Sequence, residues 1–219
     1  MNMPEPKYKA VIFDFDDTLV ETRLIKWAHH KAVAKKFYNI DLQEETLFKH
    51  WGKPFPILLQ ELYQNSDTLE NMIKANTSVR SDFRKKVYPG SVNVVTKLLD
   101  NGIKIGLLSA AASQFIIEDL KKLNFPLDRF SVIQGPNDTS VHKPDPQVFS
   151  PLLDKFGKEG MKKEEIVYVG DSLMDLQAAH GAGIDFIAVT TGLYSEADFK
   201  KHGAKVILKD IREIVKKII

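Results

Sequence analysis

Ala10-Val11-Ile12-Phe13-Asp14-Phe15-Asp16-Asp17-Thr18 is the stretch that decides the fold: an apolar run, then three carboxylates within four residues. Apolar residues are nearly continuous from Ala10 to Phe15 rather than alternating, the pattern of a strand covered on both faces. Runs of the same kind stand at Ile103–Ser109, Ser131–Gln134, Ile166–Gly170, Phe186–Thr190 and Lys205–Leu208. Segments of helical period separate them. Val92, Val95, Leu98 and Leu99 form one apolar stripe, and Phe115, Ile116, Leu120 and Leu123 another. Ser91 and Ser113 read as N-caps of these helices, and Asn101-Gly102 as the stop of the first. Strand–helix alternation of this kind predicts an α/β fold on a Rossmann-like parallel sheet.

One region breaks the alternation. From about Leu19 to Val87 there is no strand-like run, only helical patterns at 22–37, 42–50, 55–64 and 67–86. The pattern predicts an α/β core of residues 1–18 and 89–219 with an all-helical insertion at 19–88. Tyr88-Pro89-Gly90 reads as the return linker. Trp27 and Phe37 read as packing inside the insertion, and Ile211, Ile214, Val215 and Ile218 as one packed helix face.

Composition narrows the function. Of 219 residues, 43% are hydrophobic and 27% charged, enough apolar material for a full core. Lys plus Arg total 31 against 29 for Asp plus Glu, a net charge of +2. That balance offers no electrostatic case for nucleic acid or an anionic membrane. The absence of cysteine excludes disulfides, thiolate metal sites and cysteine nucleophiles. The longest apolar runs are too short to span a bilayer. Residues 1–8 lack a secretory apolar region, so a cytoplasmic location is expected.

Ligand sites on open parallel sheets form at the carboxyl ends of the strands. Residues placed there are Asp14, Asp16 and Asp17 after the first strand and Ser109 after the second. Lys143 follows the third, and Asp171 the fourth, with Asp175 one turn into the next helix. Asp14 and Asp16, two apart on a strand, point the same way. Convergent carboxylates repel one another unless a cation lies among them, and a hard divalent ion with oxygen ligands suits them. Lys143 and Ser109 could hold anionic oxygens beside it. The set is suited to a phosphoryl group, with carboxylates available as nucleophile and as acid or base. No G-x-x-x-x-G-K-[ST] loop is present, which disfavours a P-loop nucleotide hydrolase.

These residues together resemble the haloacid dehalogenase superfamily. The matches are D-x-D-x-T at Asp14, Asp16 and Thr18, the strand-terminal Ser109, Lys143 in Lys143-Pro144-Asp145-Pro146, and G-D-x-x-x-D at Gly170, Asp171 and Asp175. The helical insertion resembles that superfamily's C1-type cap, and the nearest group looks like the phosphoglycolate phosphatases and β-phosphoglucomutases. The resemblance implies a Mg²⁺-dependent phosphatase acting on a small phosphomonoester through an aspartyl phosphate. It implies Asp14 as nucleophile, Asp16 as acid and base, and Thr18 as the residue orienting Asp16. Ser109 and Lys143 would bind phosphoryl oxygens. Mg²⁺ would be held by Asp14, the Asp16 carbonyl and Asp171, with Asp175 nearby.

Two positions depart from the family pattern: Asp17 where many members have Gly, and Ala110 where members commonly carry Asn. Trp51-Gly52-Lys53-Pro54 falls where the family places a specificity loop, which makes Lys53, with Arg23, a candidate substrate contact. Plainer readings stand beside these. Asp175 suits the start of a helix in any case, Ser109 could cap the helix that follows it, and Arg23, His29, His30 and Lys53 could be solvated surface. Other functions for the same pattern are a sugar-phosphate mutase, a receiver-like module and a degenerate phosphate-binding protein. The chain is expected to be a monomer or homodimer.

Overall fold

The structure is a computed structural model that describes residues 6–51, 53 and 55–219. Gly52 and Pro54 of the proposed specificity loop lie outside the described residues. In chain order the elements begin with β1 (Ala10–Phe13), β2 (Val20–Glu21), α1 (Arg23–Tyr38), α2 (Glu44–His50), α3 (Phe55–Leu62) and α4 (Leu69–Ser78). There follow β3 (Lys86–Val87), α5 (Ser91–Asp100), β4 (Lys104–Leu108), α6 (Ser113–Lys122), β5 (Val132–Gln134) and α7 (Ser150–Lys158). The chain closes with β6 (Ile166–Gly170), α8 (Leu173–Ala182), β7 (Asp185–Val189), α9 (Glu196–Lys201), β8 (Val206–Leu208) and α10 (Val215–Ile218). Two compact units result: one runs to Glu21 and resumes at Lys86, and the other spans Thr22–Lys85.

The first unit is built on a six-stranded parallel sheet in the order β5-β4-β1-β6-β7-β8. β1 is central, pairing Phe13 with Leu107 of β4 on one side and with Val169 of β6 on the other. Val11 and Phe13 join one core layer with Val95 and Leu98 of α5, Ile116 and Leu120 of α6, and Ile218 of α10. Ala10 and Ile12 join the opposite layer with Leu152 and Phe156 of α7, Leu176 of α8 and Phe199 of α9. All of β1 is inaccessible to solvent, which is why its sequence does not alternate. Each such aliphatic or aromatic burial contributes roughly 1.5–3 kcal/mol.

Beyond β1 the chain progresses outward through β4 to β5, then crosses back to lay β6 on the other side of β1. That reversal puts the carboxyl ends of β1 and β6 side by side at the point where an open α/β sheet forms its crevice. The sheet thereby delivers Asp14 and Asp171 to one place.

Several local expectations are corrected. The β1 ladder ends at Phe13, two residues short of Phe15, although the Asp14 N–H still donates to Val169 O at 2.8 Å. The two-residue strands β2 and β3 pair antiparallel where no strand was expected, Val20 opposite Val87. They are too short to leave a periodic signal. The last helix of the insertion ends at Ser78 rather than near Lys86. Its end is marked by Thr77 and Ser78, whose hydroxyls bond back to the Ile73 and Ala75 carbonyls. Gly90, not Ser91, caps α5, adopting φ of 89° that favours glycine. Ala112 occupies the N-cap of α6, and the Ser113 hydroxyl donates to Asp138 instead.

In the helical unit, His29 and His30 are buried rather than solvated. His29 Nε2 donates to Asn76 O at 2.8 Å, while His30 Nδ1 meets Tyr63 Oη at 2.9 Å and Asn76 Nδ2 at 3.3 Å. Burial, with the charge of neighbouring His29 and Lys26 added, pushes His30 down to about 3. The pair is therefore a neutral polar core clamp between α1 and α4. Trp27 is buried as expected, but Phe37 is 43% exposed, near the C-terminal end of α1.

Candidate active site

Lys143 is the centre of the site. Its side chain is 13% exposed, and its ammonium lies 2.6 Å from Asp14 Oδ1, 2.7 Å from Asp175 Oδ1 and 2.8 Å from Tyr168 Oη. Tyr168 in turn donates to Asp175 Oδ1 at 2.7 Å. Asp14 follows β1, Asp175 lies in α8, and Tyr168 is the middle residue of β6. Residues 129 and 32 positions from Lys143 in sequence thus meet on one ammonium.

Asp175 is doubly employed. Ser172 and Asp175 form a capping box at the start of α8: the Asp175 N–H donates to Ser172 Oγ, and Asp175 Oδ2 accepts from the Ser172 N–H and hydroxyl. Oδ1 takes Lys143 and Tyr168. Four donors therefore converge on its two carboxylate oxygens. In these contacts Asp175 anchors Lys143 and starts a helix. Gly170 makes this possible, because a Cβ there would stand within 2.7 Å of the Asp175 side chain.

Thr18 and Asp171 complete the cluster. Thr18 is buried, and its hydroxyl donates to Asp171 Oδ1 at 3.4 Å, so it steadies Asp171 rather than Asp16 in the contact observed. Asp16 is half-buried, and a single bridge to Val20 turns the chain toward β2. Asp17, at φ of 58°, occupies a left-handed backbone conformation that favours glycine. It is held by Thr191, whose hydroxyl donates to its carbonyl, and by the Tyr88 hydroxyl at 3.4 Å from its carboxylate.

Ser109 is buried at the end of β4, where its hydroxyl accepts from the Ala111 N–H at 3.0 Å. It shapes its own turn, and Ala110 beside it is exposed. Arg23 and Lys53 belong to the helical unit. The Arg23 guanidinium stacks 5.1 Å from the Trp27 ring centroid. Lys53 lies 3.0 Å from Glu61 Oε1 and 3.0 Å from His50 Nδ1. Lys53 is therefore already engaged by a carboxylate within its own unit.

The electrostatics separate the three carboxylates. Burial raises Asp14 to about 7, with the Asp175 and Asp16 charges adding to it against Lys143. Burial and the charges of Asp14, Asp175 and Asp17 likewise push Asp171 well above the usual carboxylate range. Asp175 goes the other way: burial opposes its charge, but Lys143, Ser172 and Tyr168 together hold it below its ordinary value. One ammonium satisfies Asp175 and leaves Asp14 and Asp171 short of positive charge. Among the described residues no group of three or more Asp, Glu or His side chains is arranged to hold a metal ion. Asp14 and Asp171 are two carboxylates, a number that would suit a hard divalent cation that takes few protein ligands and fills its other positions with water and phosphate oxygens.

Tyr168, Ser172 and Tyr88 carry contacts that sequence reasoning did not assign. Tyr168 is read as strand filling in Ile166-Val167-Tyr168-Val169-Gly170, and only its hydroxyl, unneeded in an apolar strand, signals otherwise. Ser172-x-x-Asp175 is visible as a capping box in the sequence.

Comparison with known proteins agrees with this geometry. The family model for haloacid dehalogenase-like hydrolases matches residues 11–189. A phosphoglycolate phosphatase of Yersinia pseudotuberculosis is 32% identical over 90% of this chain and 88% of its own length. A provisionally named pyrophosphatase, PpaX, of Caldanaerobacter subterraneus is 27% identical over 96% of this chain and 94% of its own. The crystal structure of a provisionally named β-phosphoglucomutase from Thermotoga maritima superposes with a TM-score of 0.79 at 25% identity, covering 96% of this chain and all of that one. The chain belongs to the haloacid dehalogenase-like hydrolase family. Within that family it stands with the phosphatases.

Proposed function

We propose that the protein is a Mg²⁺-dependent phosphatase that hydrolyses a small phosphomonoester through a phosphorylated Asp14. The observation that carries this reading is the buried Asp14 carboxylate, held 2.6 Å from Lys143 at the end of the central strand. Asp14 Oδ attacks phosphorus in line while the bond to the leaving oxygen breaks, and Asp16 gives its proton to that oxygen. Asp16 then takes a proton from water, whose oxygen attacks phosphorus and returns Asp14 as a free carboxylate with inorganic phosphate. Lys143 offsets negative charge around Asp14 and would stabilise the transferring phosphoryl group through its charge, exchanging one of its present acceptors for a phosphoryl oxygen when substrate binds. Ser109 is assigned to a second phosphoryl oxygen.

Asp14, Asp171 and the Asp16 carbonyl are the residues that would hold Mg²⁺, and the ion would supply charge neutralisation at the transferring phosphoryl group. A phosphoglycolate-like metabolite is the substrate class proposed, acted on in the cytoplasm. Among the described residues no helix is long and apolar enough to cross a membrane. The test is phosphate release from a panel of phosphomonoesters, including phosphoglycolate and sugar phosphates, with pyrophosphate alongside. Hydrolysis of monoesters with Mg²⁺ supports the reading. Turnover undiminished in excess chelator, or none on any monoester, overturns it.

A further inference from the structure

β6 is buried along its whole length, and the packing at its midpoint calls for no hydroxyl. The Tyr168 ring meets Phe149 edge-on at 4.8 Å between centroids and Phe186 at 6.0 Å, contacts that phenylalanine would make equally well. The hydroxyl is what requires an account. It accepts from Lys143 at 2.8 Å and donates to Asp175 Oδ1 at 2.7 Å. An ammonium has three N–H groups and no directional fork, on a flexible four-carbon stem. Its position is therefore set by whatever receives those three protons. Here the receivers are Asp14, Asp175 and Tyr168.

Building on the phosphatase reading, we propose that Tyr168 is a positioning residue whose hydroxyl holds the Lys143 ammonium against the Asp14 nucleophile and pins the Asp175 carboxylate beside it. Of the three receivers it alone is fixed on the sheet by a ring wedged between aromatic neighbours. It touches neither phosphorus nor the leaving group and acts through Lys143. Without the hydroxyl, one N–H of a nearly buried ammonium has no acceptor, and Asp175 loses a donor. The ammonium is then free to turn away from Asp14. Misplacement of a charge at the reacting carboxylate is felt in the transition state more than in substrate binding.

The test uses the full chain with Mg²⁺ and the best phosphomonoester of the panel. Tyr168→Phe should lower kcat about 10-fold with KM changed by less than about twofold, as expected for lost transition-state positioning. Phe149→Leu is the packing control: it thins the same core layer, should lower Tm more than Tyr168→Phe, and should keep kcat. A Tyr168→Phe enzyme with kcat near wild type overturns the proposal, as does a kcat loss that follows Tm in both variants. A second readout needs no activity. The Lys143 ammonium signal in ¹⁵N NMR, identified by its loss in Lys143→Met, should be protected from exchange in the wild type and exposed in Tyr168→Phe. An unchanged signal overturns the positioning role. A wild type that hydrolyses no ester overturns the phosphatase reading instead, while the NMR comparison still decides whether Tyr168 fixes Lys143.

Discussion

Replacing Lys143 by Met removes the single positive charge from a buried carboxylate cluster while keeping most of the side chain's length. In the wild type the ammonium touches Asp14 and Asp175, whose side chains are 8% and 2% exposed. Removing one partner of a buried ion pair costs about 3–5 kcal/mol, because the other is left charged and dry. For a chain of this size each kcal/mol moves Tm by about 2–4 °C. The expected drop in chelator is therefore roughly 6–20 °C. Mg²⁺ should recover part of it, since a cation bound between Asp14 and Asp171 supplies charge that the lysine no longer provides. The wild type should gain less from Mg²⁺, because its lysine already compensates Asp175. Thermal melts followed by far-ultraviolet circular dichroism, in chelator and in Mg²⁺, measure both quantities. Both tryptophans, Trp27 and Trp51, lie in the helical unit, so their fluorescence is a poor monitor of this change. A Lys143→Met protein melting with the wild type in chelator would refute the ion-pair account of the site.

Other expectations follow from the same geometry. Asp14→Asn should abolish both turnover and covalent phosphorylation, whereas Asp16→Asn should slow turnover by about 10²–10⁴; near-normal rates for Asp14→Asn, or label found on Asp16, would reverse the assignments. Activity should vanish in chelator and return with Mg²⁺ but hardly with Ca²⁺, whose larger and looser shell misplaces the nucleophile; equal rates with both ions would refute the need for the smaller ion's tight geometry. In the helical unit, His30 is held neutral with its pKa near 3, below its value of 6.5 when unfolded. The unfolded chain thus binds the extra proton between those values, and His30's contribution to stability is complete above about pH 6.5 and lost as pH falls, by about 1.4 kcal/mol per unit. Tryptophan-monitored unfolding should show His30→Gln losing less stability than the wild type from pH 6.5 to 4, and parallel curves would refute this.

The legible part of the molecule is the part written in short range. Continuous apolar runs announce strands covered on both faces, and the six runs read from sequence are the six parallel strands of the sheet. The carboxylates, the lysine and the serine at strand ends are equally visible, because an open sheet puts its chemistry there. Two-residue strands such as β2 and β3 escape notice, since pairing of that length is set by the chain returning beside itself and not by any local pattern.

What tertiary structure decided is the division of labour among residues that look alike in the chain. Asp171 and Asp175 belong to one motif, yet burial and the charges of neighbouring carboxylates raise the first while Lys143, Ser172 and Tyr168 hold the second ionised. Lys143 and Tyr168 meet across 25 residues, and His30 and Tyr63 across 33, through contacts that no spacing rule contains. A side chain's type limits what it can do, and local pattern places it on a strand, helix or turn. Its charge state and its task depend on which distant groups share its pocket and how much water is left there. The amino-acid sequence by itself therefore determined the sheet and the residues gathered at its edge, whereas the packing of β1, β6 and α8 around one ammonium decided which carboxylates meet the lysine and which is raised by burial beside them.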